Sequence, residues 1–197
     1  MKRQGLWAGV ALIVLMLGVG GYGWFQQQFG SGSGNSGPVG GPIELASTQG
    51  DFSLTQLEED QLAVVFFGYT YCPDVCPMSL AVVRQALAEL DEADRDRVVP
   101  LMISVDPERD TIERLAEYIG FFGEAFIGAT GSVAQLEEIA ERYGVIWRRV
   151  ETPESAMAYT VDHSSSLYLV DREGTILRRV LYSPAPHGLL SALDDTL

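Results

Sequence analysis

The chain has 197 residues, with 13 Lys+Arg against 27 Asp+Glu, a formal net charge of −14 and two cysteines. That acidic balance argues against nucleic-acid binding, since a phosphate backbone is met by a basic patch, and two cysteines cannot staple a disulfide-rich scaffold. At 47% hydrophobic and 20% charged residues, the composition is too apolar for a disordered acidic tail.

Lys2 and Arg3 are the only charges before Glu44. Residues 6–25 (LWAGVALIVLMLGVGGYGWF) carry none; as a helix they would cover roughly 30 Å, the thickness of a bilayer's hydrocarbon core. Trp7 stands near one end and Tyr22 and Trp24 near the other, where aromatic rings favour the interface. Neither an A-x-A-like cleavage site nor a lipidation cysteine follows, so the run is read as an uncleaved transmembrane anchor rather than a signal peptide. Residues 1–5 would then stay cytoplasmic and the acidic remainder would be exported. Residues 26–41 (QQQFGSGSGNSGPVGG) read as a Gly/Ser-rich tether. That leaves residues 42–197 as one domain, long enough to bury a sizeable core.

Within it, residues 43–54 suggest a small hairpin. Residues 62–68 (LAVVFFG) form a continuous apolar run, as in a strand buried on both faces. Residues 77–90 read as a helix with Val82, Val83, Ala86, Leu87 and Leu90 along one stripe. Residues 101–105 are a second buried strand, with Pro100 at its beginning because proline has no N–H for the ladder. Asp110-Thr-Ile-Glu113 resembles a capping box opening a helix that turns Ile112, Leu115, Ile119 and Phe122 inward. Residues 126–129 form a short strand, and Ser132-Val-Ala-Gln135 caps a helix that stops at Gly144. Two further strands, 166–170 and 175–181, flank the hairpin signal Asp171-Arg-Glu-Gly174, and a helix over 188–193 closes the chain. The order β-α-β-α-β-α-β-β-α predicts an α/β fold, a mixed sheet flanked by helices, of which the thioredoxin-like fold is the best-known example.

The chemistry concentrates in Cys72-Pro-Asp-Val-Cys76-Pro77. Both thiols follow the first buried strand in the loop that feeds a helix. Proline suits a first helical position, which makes Cys76 the expected N-cap. Near a helix N-terminus, unsatisfied N–H groups and the macrodipole favour thiolate over thiol. Soft thiolates select Cu(I), Zn(II) or redox chemistry. A structural disulfide is the bland alternative, but so short a loop removes little chain entropy. Of the two histidines, His163 precedes the strand at 166–170, in the loop that a thioredoxin-like arrangement brings toward the cysteines. His187, in a turn beside the last helix, reads as a surface residue.

The run Phe66-Phe-Gly-Tyr-Thr-Tyr-Cys72-Pro-Asp-Val-Cys76-Pro77 resembles the signature of the Sco/SenC copper-chaperone family. So do Ile103-Ser-Val-Asp106-Pro-Glu-Arg-Asp110-Thr111 and Asp162-His163 ahead of a Tyr-Leu-Val-Asp strand, and the likeness spans essentially residues 42–197. The resemblance implies a thioredoxin-like domain that binds copper through Cys72, Cys76 and His163 and assists assembly of the CuA site in cytochrome c oxidase subunit II. It makes that subunit the expected partner, with a periplasmic copper donor or thiol reductase upstream and no nucleic acid. Asp106 and Asp162 are the candidate carboxylates behind a metal-bound imidazole, although turn and cap chemistry explains them equally well. Cu(II) would recruit a fourth ligand, water or a carboxylate. Asp74 is expected to face solvent and Met78 to pack.

True thioredoxins space their thiols C-x-x-C and place a cis-proline opposite; here the spacing is one residue longer and Asp162-His163-Ser164 holds no proline. Three functions stay open: a metallochaperone rather than an enzyme, a thiol–disulfide oxidoreductase using Cys72 and Cys76 to reduce the CuA cysteines, and a redox or copper sensor. With only Lys2 and Arg3 ahead of the anchor, no Arg-rich transit segment precedes it. The expected residence is a bacterial inner membrane, single-pass, with the domain in the periplasm.

Overall fold

The computed structural model describes residues 38–154 and 157–197; the expected anchor and most of the tether lie outside the described residues. Among the described residues, no helix is long and apolar enough to cross a membrane.

The domain opens with a hairpin, β1 (Glu44–Ser47) and β2 (Gly50–Ser53), then a 3-10 turn over Leu54–Gln56. β3 (Leu62–Gly68) leads through the cysteine loop to α1 (Val75–Glu89), α2 (Glu92–Asp96) and β4 (Val98–Ser104). There follow α3 (Ile112–Gly120), β5 (Ile127–Thr130) and α4 (Val133–Tyr143). The C-terminal part holds β6 (Trp147–Glu151), β7 (Tyr159–His163), β8 (Leu167–Val170), β9 (Ile176–Val180) and α5 (His187–Asp194). Seven strands form one sheet in the order β2-β1-β5-β4-β3-β8-β9, while β6 and β7 pair only with each other. β3 is parallel to β4 and antiparallel to β8, and β4 is parallel to β5. This is a thioredoxin-like mixed α/β sheet flanked by helices.

All seven residues of β3 are buried, because the strand has neighbours on both edges and packing on both faces. Strand alternation sends its two phenylalanines opposite ways. Phe67 meets the rings of Tyr143 on α4 and Tyr168 on β8, at centroid distances of 5.8 and 6.0 Å. Phe66 meets His163 at 6.0 Å. One face of β3 thus builds core and the other backs the site.

Several boundaries differ from the sequence reading for physical reasons. Pro100 lies inside β4 rather than at its start; the ladder to β5 begins only at Leu101, so the strand still has an open side where proline's missing N–H costs nothing. α1 starts at Val75 with Asp74 at the N-cap, so Cys76 is the second helical residue and not the cap. Thr111 caps α3 through its side chain; Asp110 turns inward instead. Ser132 and Gln135 form the expected capping box of α4, and Gly144 ends it in the left-handed conformation. Helix α2 and the β6–β7 hairpin were not foreseen. The strand TrpArgArgValGlu is largely exposed and charged, so the apolar run that reveals a buried strand is absent. At the N-terminal edge, Val39 and Gly40 donate to the Arg142 carbonyl and Gly41 to that of Gly174. The last tether residues therefore belong to the folded domain. Gly174 adopts φ +87°, and a Cβ there would stand 2.3 Å from the Gly41 oxygen.

Candidate metal centre

The site begins where β3 ends. Gly68 is followed by Tyr69-Thr-Tyr-Cys72, and Thr70 fixes this stretch from behind: its N–H and hydroxyl both donate to Asp110, at 2.9 and 2.7 Å. Ser104, the last residue of β4, donates to the same carboxylate at 2.6 Å. Asp110, only 1% exposed, thus ties β4 to the cysteine loop. Asp110 lies six residues beyond the end of β4, and nothing local in Ser104-Val-Asp-Pro-Glu-Arg-Asp110 separates an inward carboxylate from a helix cap.

Cys76 is fully buried on α1 and Cys72 is half-buried in the loop; both are free thiols. Gly68 makes room for this, since a Cβ there would lie 2.9 Å from Cys76 Sγ and 2.6 Å from the Phe66 ring. His163 ends β7 rather than lying in a loop. Its Nε2 stands 3.2 Å from Cys76 Sγ, and its Nδ1 lies 3.0 Å from the Ser164 carbonyl. A carbonyl can only accept, so Nδ1 carries the proton and Nε2 presents its lone pair to the sulfur. Phe66 and Tyr69 meet the imidazole edge-on at 6.0 and 5.9 Å, which fixes its plane.

Ligand atoms of Cys72, Cys76 and His163 all lie within 4.8 Å of one another. Two sulfurs and one imidazole nitrogen at that spacing fit a soft, low-coordinate ion such as Cu(I). The thiols are electrostatically unequal. The Cys72 thiol is pulled down to about 3, chiefly by its hydrogen-bonding interaction with Cys76. The Cys76 thiol is pushed up by making that bond and by burial. Of the two, half-exposed Cys72 is the one that favours the thiolate and buried Cys76 the one that keeps its proton.

The carboxylates expected behind the imidazole are elsewhere. Asp162, exposed, pairs with Arg148 across the β6–β7 ladder at 3.1 Å. Asp106, buried, accepts from Tyr159 at 2.8 Å and from Arg109 at 2.6 Å. The Ser164 carbonyl fills the role instead, as backbone often does behind a metal-bound histidine. Asp74 and His187 are exposed, as is Met78 in part, at 40%.

Comparison with known proteins agrees with this geometry. The family model SCO1/SenC matches residues 32–197. The SCO2-like protein RP587 of Rickettsia prowazekii is 35% identical over 71% of this chain and 68% of its own length. Copper-bound ScoI of Arabidopsis thaliana superposes with a TM-score of 0.72 at 32% identity, covering 80% of this chain and 97% of that one. Copper-bound ScoI of Bradyrhizobium japonicum gives 0.69 at 33% identity, covering 81% and 99%. BsSco, a member of the Sco family of cytochrome c oxidase assembly proteins, shares the fold with a TM-score of 0.61 at 24% identity, covering 82% of this chain and 94% of that one. With two thiols and an imidazole brought together at the end of β3 and a family match over residues 32–197, the chain belongs to the SCO1/SenC family.

Proposed function

We propose that this protein is a membrane-anchored copper chaperone that loads or prepares the CuA site of cytochrome c oxidase subunit II. Cys72, Cys76 and His163 hold the copper, residues 6–25 anchor the chain in a bacterial inner membrane, and the domain works in the periplasm. The convergence of the three donor atoms within 4.8 Å carries the reading. Copper is cargo here. The half-exposed Cys72 offers it a route in and out, while buried Cys76 and the edge-locked His163 define the seat. Loading needs the dithiol, because a Cys72–Cys76 disulfide has no thiolate to give.

The test is copper stoichiometry and spectrum. Reduced protein should bind one copper and, as Cu(II), show thiolate-to-metal charge-transfer absorption. Cys72→Ala, Cys76→Ala and His163→Ala should each abolish that band; its survival in His163→Ala would overturn the ligand assignment.

The thiol asymmetry favours a second reading on the same residues. As a reductase, Cys72 thiolate attacks a disulfide between the CuA cysteines, giving a mixed disulfide and releasing one partner thiolate. Cys76 then displaces the second, so the partner gains two electrons and this chain becomes the disulfide. That chemistry needs no His163. Full restoration of oxidase CuA content by His163→Ala in a deletion strain would select it.

A further inference from the structure

The histidine and the cysteines sit on parts of the molecule that share no backbone ladder. β6 and β7 form their own two-stranded sheet, whereas the cysteine loop grows from β3 of the main one. Only residues 164–166 join His163 to Leu167, which pairs with Phe66 of β3, so the setting of Nε2 also depends on side-chain ties between the two parts, and Arg109 reaches both.

Arg109 lies in the turn after β4, its side chain 17% exposed. Its Nε donates to Asp106 at 2.6 Å. Its Nη1 donates to the Met157 and Tyr159 carbonyls at 3.3 and 3.1 Å, holding the start of β7. Its guanidinium carbon stands 3.5 Å from the Tyr159 ring centroid on the hairpin side. On the cysteine side it stands 4.9 Å from Tyr71 and 5.7 Å from Tyr69. Arg149 covers Tyr159 at 3.7 Å, and Arg114 covers Tyr71 at 5.2 Å. The result is a row of alternating guanidinium and phenol groups, Arg149–Tyr159–Arg109–Tyr71–Arg114, running from the hairpin to the residue before Cys72. Tyr69 adds a parallel tie, accepting from the Val161 N–H at 3.3 Å.

We propose that Arg109 is a positioning residue of the copper site, aligning the histidine arm with the cysteine arm through its half-buried guanidinium. Arginine carries no lone pair and cannot itself ligate; it acts through the placement of β7 and Tyr71. A lysine would keep the charge but lose the planar fork that bonds two carbonyls and a carboxylate while stacking on a ring. The proposal rests on the copper reading above and adds to it a residue that touches no metal.

The experiment compares full-length Arg109→Gln, Arg109→Lys and Tyr71→Ala with the wild type, and uses Arg178→Gln on exposed β9 as the charge control. Copper affinity is measured by chelator competition, alongside the energy of the thiolate-to-Cu(II) band. Amide exchange of β7 is measured without metal. Arg109→Gln should weaken copper binding about 10–100-fold, the usual effect of losing an orienting partner. It should also shift the band and speed β7 exchange while β3 and β4 stay protected. Arg109→Lys should resemble Arg109→Gln. Tyr71→Ala, which leaves the core intact, should shift the band the same way with β7 exchange unchanged. A wild-type band and an affinity within about twofold in Arg109→Gln would overturn the proposal, as would full recovery in Arg109→Lys. If Arg109→Gln does not fold, an unaltered band in Tyr71→Ala overturns it. If the wild type itself shows no copper band, the copper reading fails; β7 exchange still decides the tie, faster in Arg109→Gln supporting it and unchanged refuting it.

Discussion

An Asp110→Ala substitution removes the acceptor of three hydrogen bonds at once, from Thr70 N, Thr70 Oγ1 and Ser104 Oγ. The two hydroxyls can rotate toward other acceptors, but the Thr70 N–H cannot. A buried donor left unmet costs roughly 1–3 kcal/mol, and each bond to a charged acceptor is worth about 1.5–3. Allowing for recovery by the hydroxyls, the loss should be about 3–5 kcal/mol, at the diagnostic end for a point change. Asp110→Asn should cost only about 1 kcal/mol. An amide oxygen in the Oδ2 position keeps Thr70 N and Ser104 Oγ, and the amide NH2 faces Thr70 Oγ1, which can accept as well as donate. Urea unfolding of the reduced, metal-free protein, with both variants at constant m-value, measures the difference. An alanine variant within about 1 kcal/mol of the wild type, or no more impaired than the asparagine variant, would refute the view that Asp110 anchors the cysteine loop.

Gly68→Ala should displace the Cys76 sulfur or the Phe66 ring, since its Cβ would lie 2.9 and 2.6 Å from them. The expected cost is about 1–3 kcal/mol with an altered copper band, and an unchanged band would show that the space is not needed. With the Cys72 thiol drawn down to about 3, chiefly by Cys76, and Cys76 buried, iodoacetamide at pH 5 should label Cys72 and spare Cys76. Because that depression depends chiefly on Cys76, Cys76→Ala should slow the reaction at pH 5 by at least about tenfold, since a thiol no longer drawn down toward 3 is mostly protonated at that pH. Equal labelling of both cysteines, or no slowing in the variant, would refute the asymmetry.

The parts of this molecule that were legible in the sequence are those where one physical demand dominates. β3 shows as seven consecutive apolar or small residues because all seven are buried, and the Ser132–Gln135 box shows because capping is local. The cysteine pair was legible for the same reason, its spacing and its proline both being short-range. Where two demands compete, the sequence alone is ambiguous. Asp110 has the chemistry of a cap but serves a contact forty residues away, and Thr111 caps in its place. His163 was placed near the cysteines by topology, yet its strand escaped notice because β6 and β7 are short, polar on one side and paired only with each other. Arg109 lies within a motif that carries the family resemblance, but nothing local gives its role: its partners at Tyr69, Tyr71, Met157 and Tyr159 meet only in the folded chain.

The placement of His163 on a separate hairpin makes the two states of the cysteine pair unequal as staples. Cys76 and His163 are 87 positions apart. An ion gripped by both would close a loop of that span even in an unfolded chain, removing conformational freedom on the order of 4–5 kcal/mol at room temperature. A Cys72–Cys76 disulfide closes a ring of five residues and removes about 2 kcal/mol, roughly half as much. Loaded protein should thus resist heat and proteases to a degree that oxidised protein does not. In an oxidising compartment, empty chains would then be cleared in preference to full ones, with no receptor needed to tell them apart.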